Sequence, residues 1–103
     1  MKEYNKLIRD KIPGIIAAKG EKAQIHIADD REFLEKAKEK LSEELAEFLD
    51  SGEAEELADL LEITYATASA LGVSEKELDR IRQEKRDKRG GFAKKIILER
   101  SQP

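Results

Sequence analysis

The spacing of apolar and polar positions divides the chain into four helical stretches, one short alternating stretch and a β-branched tail. Asp10 stands where it could cap a helix whose first turn contains Pro13, a position where the missing N–H does little harm, and Gly20 ends that helix. In the segment Ala23 to Ala28, apolar Ile25 and Ile27 alternate with polar Gln24 and His26, which predicts a half-buried strand with His26 in solvent. Asp29 and Asp30 offer capping oxygens to a long helix reaching about Asp50, where Ser51-Gly52 stops it. A second long helix runs from about Glu53 to Leu71 and ends at Gly72. Ser74 with Glu77 makes a capping box for a helix from Glu75 to about Arg89, and Gly90-Gly91 ends it. The tail FAKKIILER is β-branched enough to form a second strand and pair with the first. The expected fold is mainly α, an antiparallel helical bundle in one domain spanning residues 1–103, with a small two-stranded β appendage.

Helical phase then shows where the carboxylates point. At about 100° per residue, Phe33, Ala37, Leu41, Leu45, Phe48 and Leu49 share one arc, and Glu44 falls inside it between Phe33 and Ala37. Glu47 sits on the border of that arc and Glu43 further out. The next helix has an ordinary core stripe through Leu57, Leu61, Thr64, Ala68 and Leu71. A second stripe runs through Glu56, Asp59, Ile63, Ala66 and Ala70. A helix apolar on two sides is either central in a bundle or at a subunit interface, and both are expected here, with the second stripe as the oligomer contact.

The two i, i+3 pairs, Glu44 with Glu47 and Glu56 with Asp59, flank a short joint and are brought together by an antiparallel hairpin. An EExxE stretch in so charged a chain can be a solvated face, but these pairs turn toward apolar stripes. Four carboxylates at such range repel, and no Lys or Arg lies in residues 41–75 to neutralise them. A divalent cation would do so. All-oxygen ligation selects hard ions, Mg²⁺ first and Mn²⁺ second.

Composition narrows the chemistry. The 103 residues contain 20 Lys plus Arg and 23 Asp plus Glu, a net charge of −3, no Cys and one His. Thiolate nucleophiles, Cys-ligated metals and multi-histidine sites are therefore excluded. The charge is segregated, with +2 over residues 1–38, −9 over 39–62 and +4 over 63–103. No stretch is uniformly basic and aromatics are few, so nucleic acid is not an expected partner. No apolar run reaches the roughly 18–20 residues of a membrane span, and MKEYNKLIRD lacks the apolar stretch of a signal peptide; the expectation is a cytoplasmic protein without a membrane partner.

The stretch EELAE (Glu43 to Glu47) followed by ELAD (Glu56 to Asp59) resembles the EExxE…ExxD signature of the MazG-like, all-α nucleoside triphosphate pyrophosphohydrolases. YNKLIRDKIP near the start and the late KRGGF resemble a phosphoribosyl-ATP pyrophosphohydrolase-like subgroup of that superfamily. Eight residues, Phe48 to Glu55, separate the acidic halves, fewer than is usual in the family. The resemblance implies that Glu44, Glu47, Glu56 and Asp59 ligate Mg²⁺, with Glu43 as a further ligand or the base that activates water. It implies hydrolysis between the α and β phosphates of a nucleoside triphosphate or phosphoribosyl nucleotide, releasing pyrophosphate, in a house-cleaning role; the second apolar stripe of the Glu53 to Leu71 helix adds the expectation of a homodimer or higher oligomer. Basic side chains would hold the phosphates. Arg82, Lys85, Arg86 and Arg89 make one cationic face, and Asn5, Lys6, Arg9 and Lys11 lie in the N-terminal motif; Lys6, Arg9, Lys85 and Arg89 are favoured. The alternative is a non-catalytic helical dimerisation or nucleotide-binding module with a solvated acidic cluster.

Overall fold

A computed structural model describes residues 3–103, in which four helices follow one another: α1 (Ile12–Ala18), α2 (Asp30–Ser51), α3 (Ala54–Ala70) and α4 (Glu75–Arg89). The long helices begin and end where the capping residues dictate. Asp29 accepts a hydrogen bond from the Glu32 N–H at 2.8 Å, and two acidic residues in the first turn of α2 complement its dipole. Gly52, at φ +68°, takes the left-handed conformation that closes α2, its N–H donating to the Phe48 carbonyl at 2.8 Å. Two residues therefore suffice to reverse the chain into α3. At the far end of α3, Val73 N–H donates to the Ala68 carbonyl and Gly72 N–H to that of Ser69, the paired bonds of a Schellman closure. Ser74 accepts from the Glu77 N–H at 3.1 Å, as its capping-box position requires.

Two expectations are corrected. Asp10 does not cap the first helix: α1 starts at Ile12 after Lys11, without a side-chain cap, and places Pro13 in its first turn. The two-stranded appendage is also not formed, since no strand occurs among the described residues. Alternation in one segment and β-branched residues in the other suit a strand that covers a core, and these segments stay exposed. Ile27 is 88% exposed and Ile97 81%. Lys95 adopts φ +58° and donates its N–H to the Phe92 carbonyl, so the tail turns where a strand would run straight. An isolated two-stranded ribbon is marginal in water in any case.

α2 and α3 form the hairpin that organises the molecule, and α4 packs on α3 alone. The face α3 turns toward α2 carries Ile63, buried, and Glu56, Asp59, Leu60, Thr67 and Ala70, half-buried. The second stripe, expected to meet another subunit, thus packs within the chain. Thr64 and Thr67 return their hydroxyls to the carbonyls of Leu60 and Ile63 at 2.7 Å, which satisfies them on apolar surfaces. Among the described residues, Ala37, Ile63 and Ala68 are the buried apolar ones, and Glu44 is buried with them. No helix among the described residues is long and apolar enough to cross a membrane.

Candidate metal centre

Glu44 is 8% exposed, on the face α2 presses against α3. Its Oε1 lies 3.4 Å from Lys40 Nζ, one helical turn earlier, and its Oε2 is buried with no hydrogen-bond partner. An anionic oxygen in that state costs free energy unless something positive approaches it. Across the hairpin, Glu56 and Asp59 in the first two turns of α3 converge on the same point. One carboxylate oxygen from each of Glu44, Glu56 and Asp59 lies within 4.8 Å of the others. A hard cation at about 2.0–2.6 Å from each ligand spans oxygens separated by up to about 4–5 Å, so the three fit one.

The electrostatics follow from this convergence. Burial and the neighbouring Glu47 charge push the Glu44 carboxyl above the ordinary glutamate range, against the opposing pull of Lys40. Partial desolvation raises Glu56 as well, reinforced by the charges of Asp59 and Glu44. Glu43 behaves oppositely: burial acts to raise it, but the hydrogen bond from Lys6 and the charge of Lys40 outweigh that and hold it below its usual value.

The N-terminal arm reaches this side of the hairpin. Asn5 turns the backbone at φ +45°, a conformation asparagine tolerates better than most residues. Lys6 Nζ then donates to Glu43 Oε1 at 3.3 Å, and Arg9 Nη2 donates to Asp59 Oδ1 at 2.7 Å. The structure therefore brings Lys6 and Arg9 to the acidic residues with which they were expected to share a site. Glu47 is exposed beside Glu44, and its carboxylate is not one of the three converging groups. Lys85 and Arg89 stand exposed on α4 and make no hydrogen bond or ion pair with the cluster among the described residues. Arg82 is engaged within α4 by Asp79, and Arg89 borders a shallow depression with Gly90, Gly91 and Lys94. His26, expected in solvent, is mostly exposed and has its Nε2 2.9 Å from Glu32.

Lys40 is the residue sequence reasoning passed over. It lies just outside the interval 41–75 that contains no Lys or Arg, yet its i, i+4 relation to Glu44 and i, i+3 relation to Glu43 were legible. Comparisons with protein-family models, curated proteins and solved structures return no match to this chain.

Proposed function

We propose that the chain is a Mg²⁺-dependent nucleotide pyrophosphohydrolase of the MazG-like kind, cleaving between the α and β phosphates and acting as a homodimer or higher oligomer. One observation carries the metal part of this reading: the partnerless buried Oε2 of Glu44 at the point where Glu56 and Asp59 converge. The reaction comes from the resemblance of EELAE, ELAD, YNKLIRDKIP and KRGGF to that superfamily.

Glu44, Glu56 and Asp59 would hold the ion, with Glu47 at hand from the next turn of α2. When bound, a divalent ion supplies charge neutralisation at the phosphates and acidifies a coordinated water. Glu43 is the proposed acceptor of the attacking water's proton; Lys6 and Lys40 hold its carboxyl below the usual value and so weaken it as a base until a phosphate draws Lys6 away. Lys6 and Arg9, already at the cluster, would exchange a carboxylate for a phosphate oxygen, a substitution of one anion for another in the same charge-assisted geometry. Lys85 and Arg89 are the proposed outer phosphate contacts.

The non-catalytic alternative draws on a specific observation too: the Lys6–Glu43 and Arg9–Asp59 pairs already neutralise part of the cluster without a metal. Pyrophosphate release across a panel of nucleoside triphosphates, with and without Mg²⁺, separates the two. The enzyme reading expects metal-dependent release that disappears in Glu44→Gln and Asp59→Asn. Release that never occurs with any nucleotide favours the module, and release that survives in both variants overturns the assignment of Glu44 and Asp59.

A further inference from the structure

Lys40 is the last basic residue before the interval 41–75, and helical spacing on α2 sets its neighbours: Glu43 at i, i+3 and Glu44 at i, i+4. Its Nζ bridges the two, 3.4 Å from Glu43 Oε1 and 3.4 Å from Glu44 Oε1. The Lys40 side chain is 18% exposed, whereas those of Lys6 and Arg9, the other cations at the cluster, are 40% and 58% exposed. The three therefore differ in kind. Lys6 and Arg9 arrive from the N-terminal arm and can leave with it, but Lys40 shares a helix with both its partners, so its contacts survive a movement of the arm.

The oxygen of Glu44 that Lys40 touches matters to an ion. Oε1 faces the ammonium, and Oε2 is buried without a partner. A cation at the point where Glu44, Glu56 and Asp59 converge is attracted by Oε2 and kept from Oε1 by the charge of Lys40. Glu44 then offers it one oxygen. Mg²⁺ is suited by that, because it holds single oxygens at about 2.0–2.1 Å in a near-ideal octahedron and keeps several waters. Ca²⁺ is larger, takes roughly six to eight oxygens, and gains from a carboxylate that grips it with both.

We infer that Lys40 makes this site discriminate between divalent ions: by holding Glu44 Oε1 it restricts Glu44 to ligation through one oxygen, and so favours Mg²⁺ over Ca²⁺. Lys40 is a positioning residue here, since it touches a ligand and not the ion. The inference rests on the metal part of the proposed function and not on the hydrolase activity.

Titration calorimetry with Mg²⁺ and with Ca²⁺, in the absence of nucleotide, tests it on wild type, Lys40→Met and Lys40→Arg, with helicity checked by circular dichroism. Lys40→Met keeps the aliphatic stem and removes the ammonium. Its preference is expected to move toward Ca²⁺ by roughly tenfold, the scale on which groups that orient metal ligands act. Lys40→Arg keeps a cation against Oε1 and should retain the wild-type ratio. Loss of charge alone strengthens both ions alike, so an unchanged ratio in Lys40→Met, or a move toward Mg²⁺, overturns the inference and leaves the metal site standing. A wild type that binds neither ion overturns the metal site itself. Eu³⁺ supplies a readout that a change in stability does not move, because its luminescence lifetimes in H₂O and D₂O count the waters on the bound ion. Lys40→Met should hold about one water fewer than wild type, as a second Glu44 oxygen takes its place. An equal count overturns the inference. Should Lys40→Met lose its helicity, Lys40→Met/Glu43→Gln removes one charge of each sign and faces the same two outcomes.

Discussion

Glu44 holds two oxygens in unlike circumstances: Oε1 is within reach of Lys40, while Oε2 has no partner. Removing the charge while keeping the shape should therefore stabilise the protein when no divalent ion is present. Glu44→Gln is expected to raise stability by about 1 kcal/mol, or roughly 4–8 °C in Tm for a domain this size. In wild type, Mg²⁺ at millimolar concentration should raise Tm, and in Glu44→Gln that rise should be largely lost. Calorimetry of the two proteins with and without metal checks both. The pH dependence has a definite sign. A carboxyl raised in the folded state binds its proton there more tightly than in the unfolded chain. For Glu44 and Glu56, metal-free stability should thus fall as pH rises above the ordinary glutamate value through the elevated one. Glu43, lowered instead, contributes stability that is lost as pH falls below the ordinary value. Arg9 supplies a second test, because its guanidinium and a cation compete for Asp59. In Arg9→Gln, titration calorimetry should show Mg²⁺ binding several-fold more tightly, while metal-free stability changes by less than about 1 kcal/mol, as for an exposed pair. Unchanged affinity would mean that Arg9 and the ion use different oxygens.

The hairpin is what converts two sequence motifs into one site, and Gly52 sets its geometry. At φ +68° a side chain is strained even though nothing lies within 4 Å of where its Cβ would sit, so Gly52→Ala should cost about 1 kcal/mol in chemical denaturation. A cost near zero would show the joint to be free to re-form. Legibility in the sequence follows the range of the interactions. Asp29, Gly52, Gly72 and Ser74 act on backbone groups a few residues away, so the ends of α2 and α4 and the reversals were readable within a residue or two. The burial of Glu44 was readable because helical phase is local as well. Which stripe of α3 would meet α2 was not, since both were apolar; the choice depends on the rotation of one helix against another, and the structure gives it to the side bearing Glu56, Asp59 and Ile63. The segment Ala23 to Ala28 failed for a related reason: Ile25 and Ile27 alternate correctly, but a strand also needs a neighbour and a core.

At the scale of the whole molecule, the chain buries far less than its length permits. Unfolded, it would expose about 17,000 Å², so folding to 9618 Å² removes well under the roughly 65% expected of a domain this size. With Ala37, Ile63 and Ala68 as its buried apolar residues, a solitary copy has little to set against the entropy of ordering four helices. The N-terminal arm's ion pairs do not make up the difference, because exposed pairs contribute at most about 1 kcal/mol each. Folding and association should therefore be one transition, in which two unfolded chains yield one folded pair. Mass action then makes the midpoint depend on protein concentration: a tenfold increase is worth about 1.4 kcal/mol per dimer. Divided by the unfolding entropy of two chains of this length, that is a rise in Tm of about 3 °C. Scans over a hundredfold concentration range should show a Tm climbing by roughly twice that amount. A Tm independent of concentration would mean that each copy is stable alone, and that the leucines of α2 and α3 remain in water at no cost to the fold.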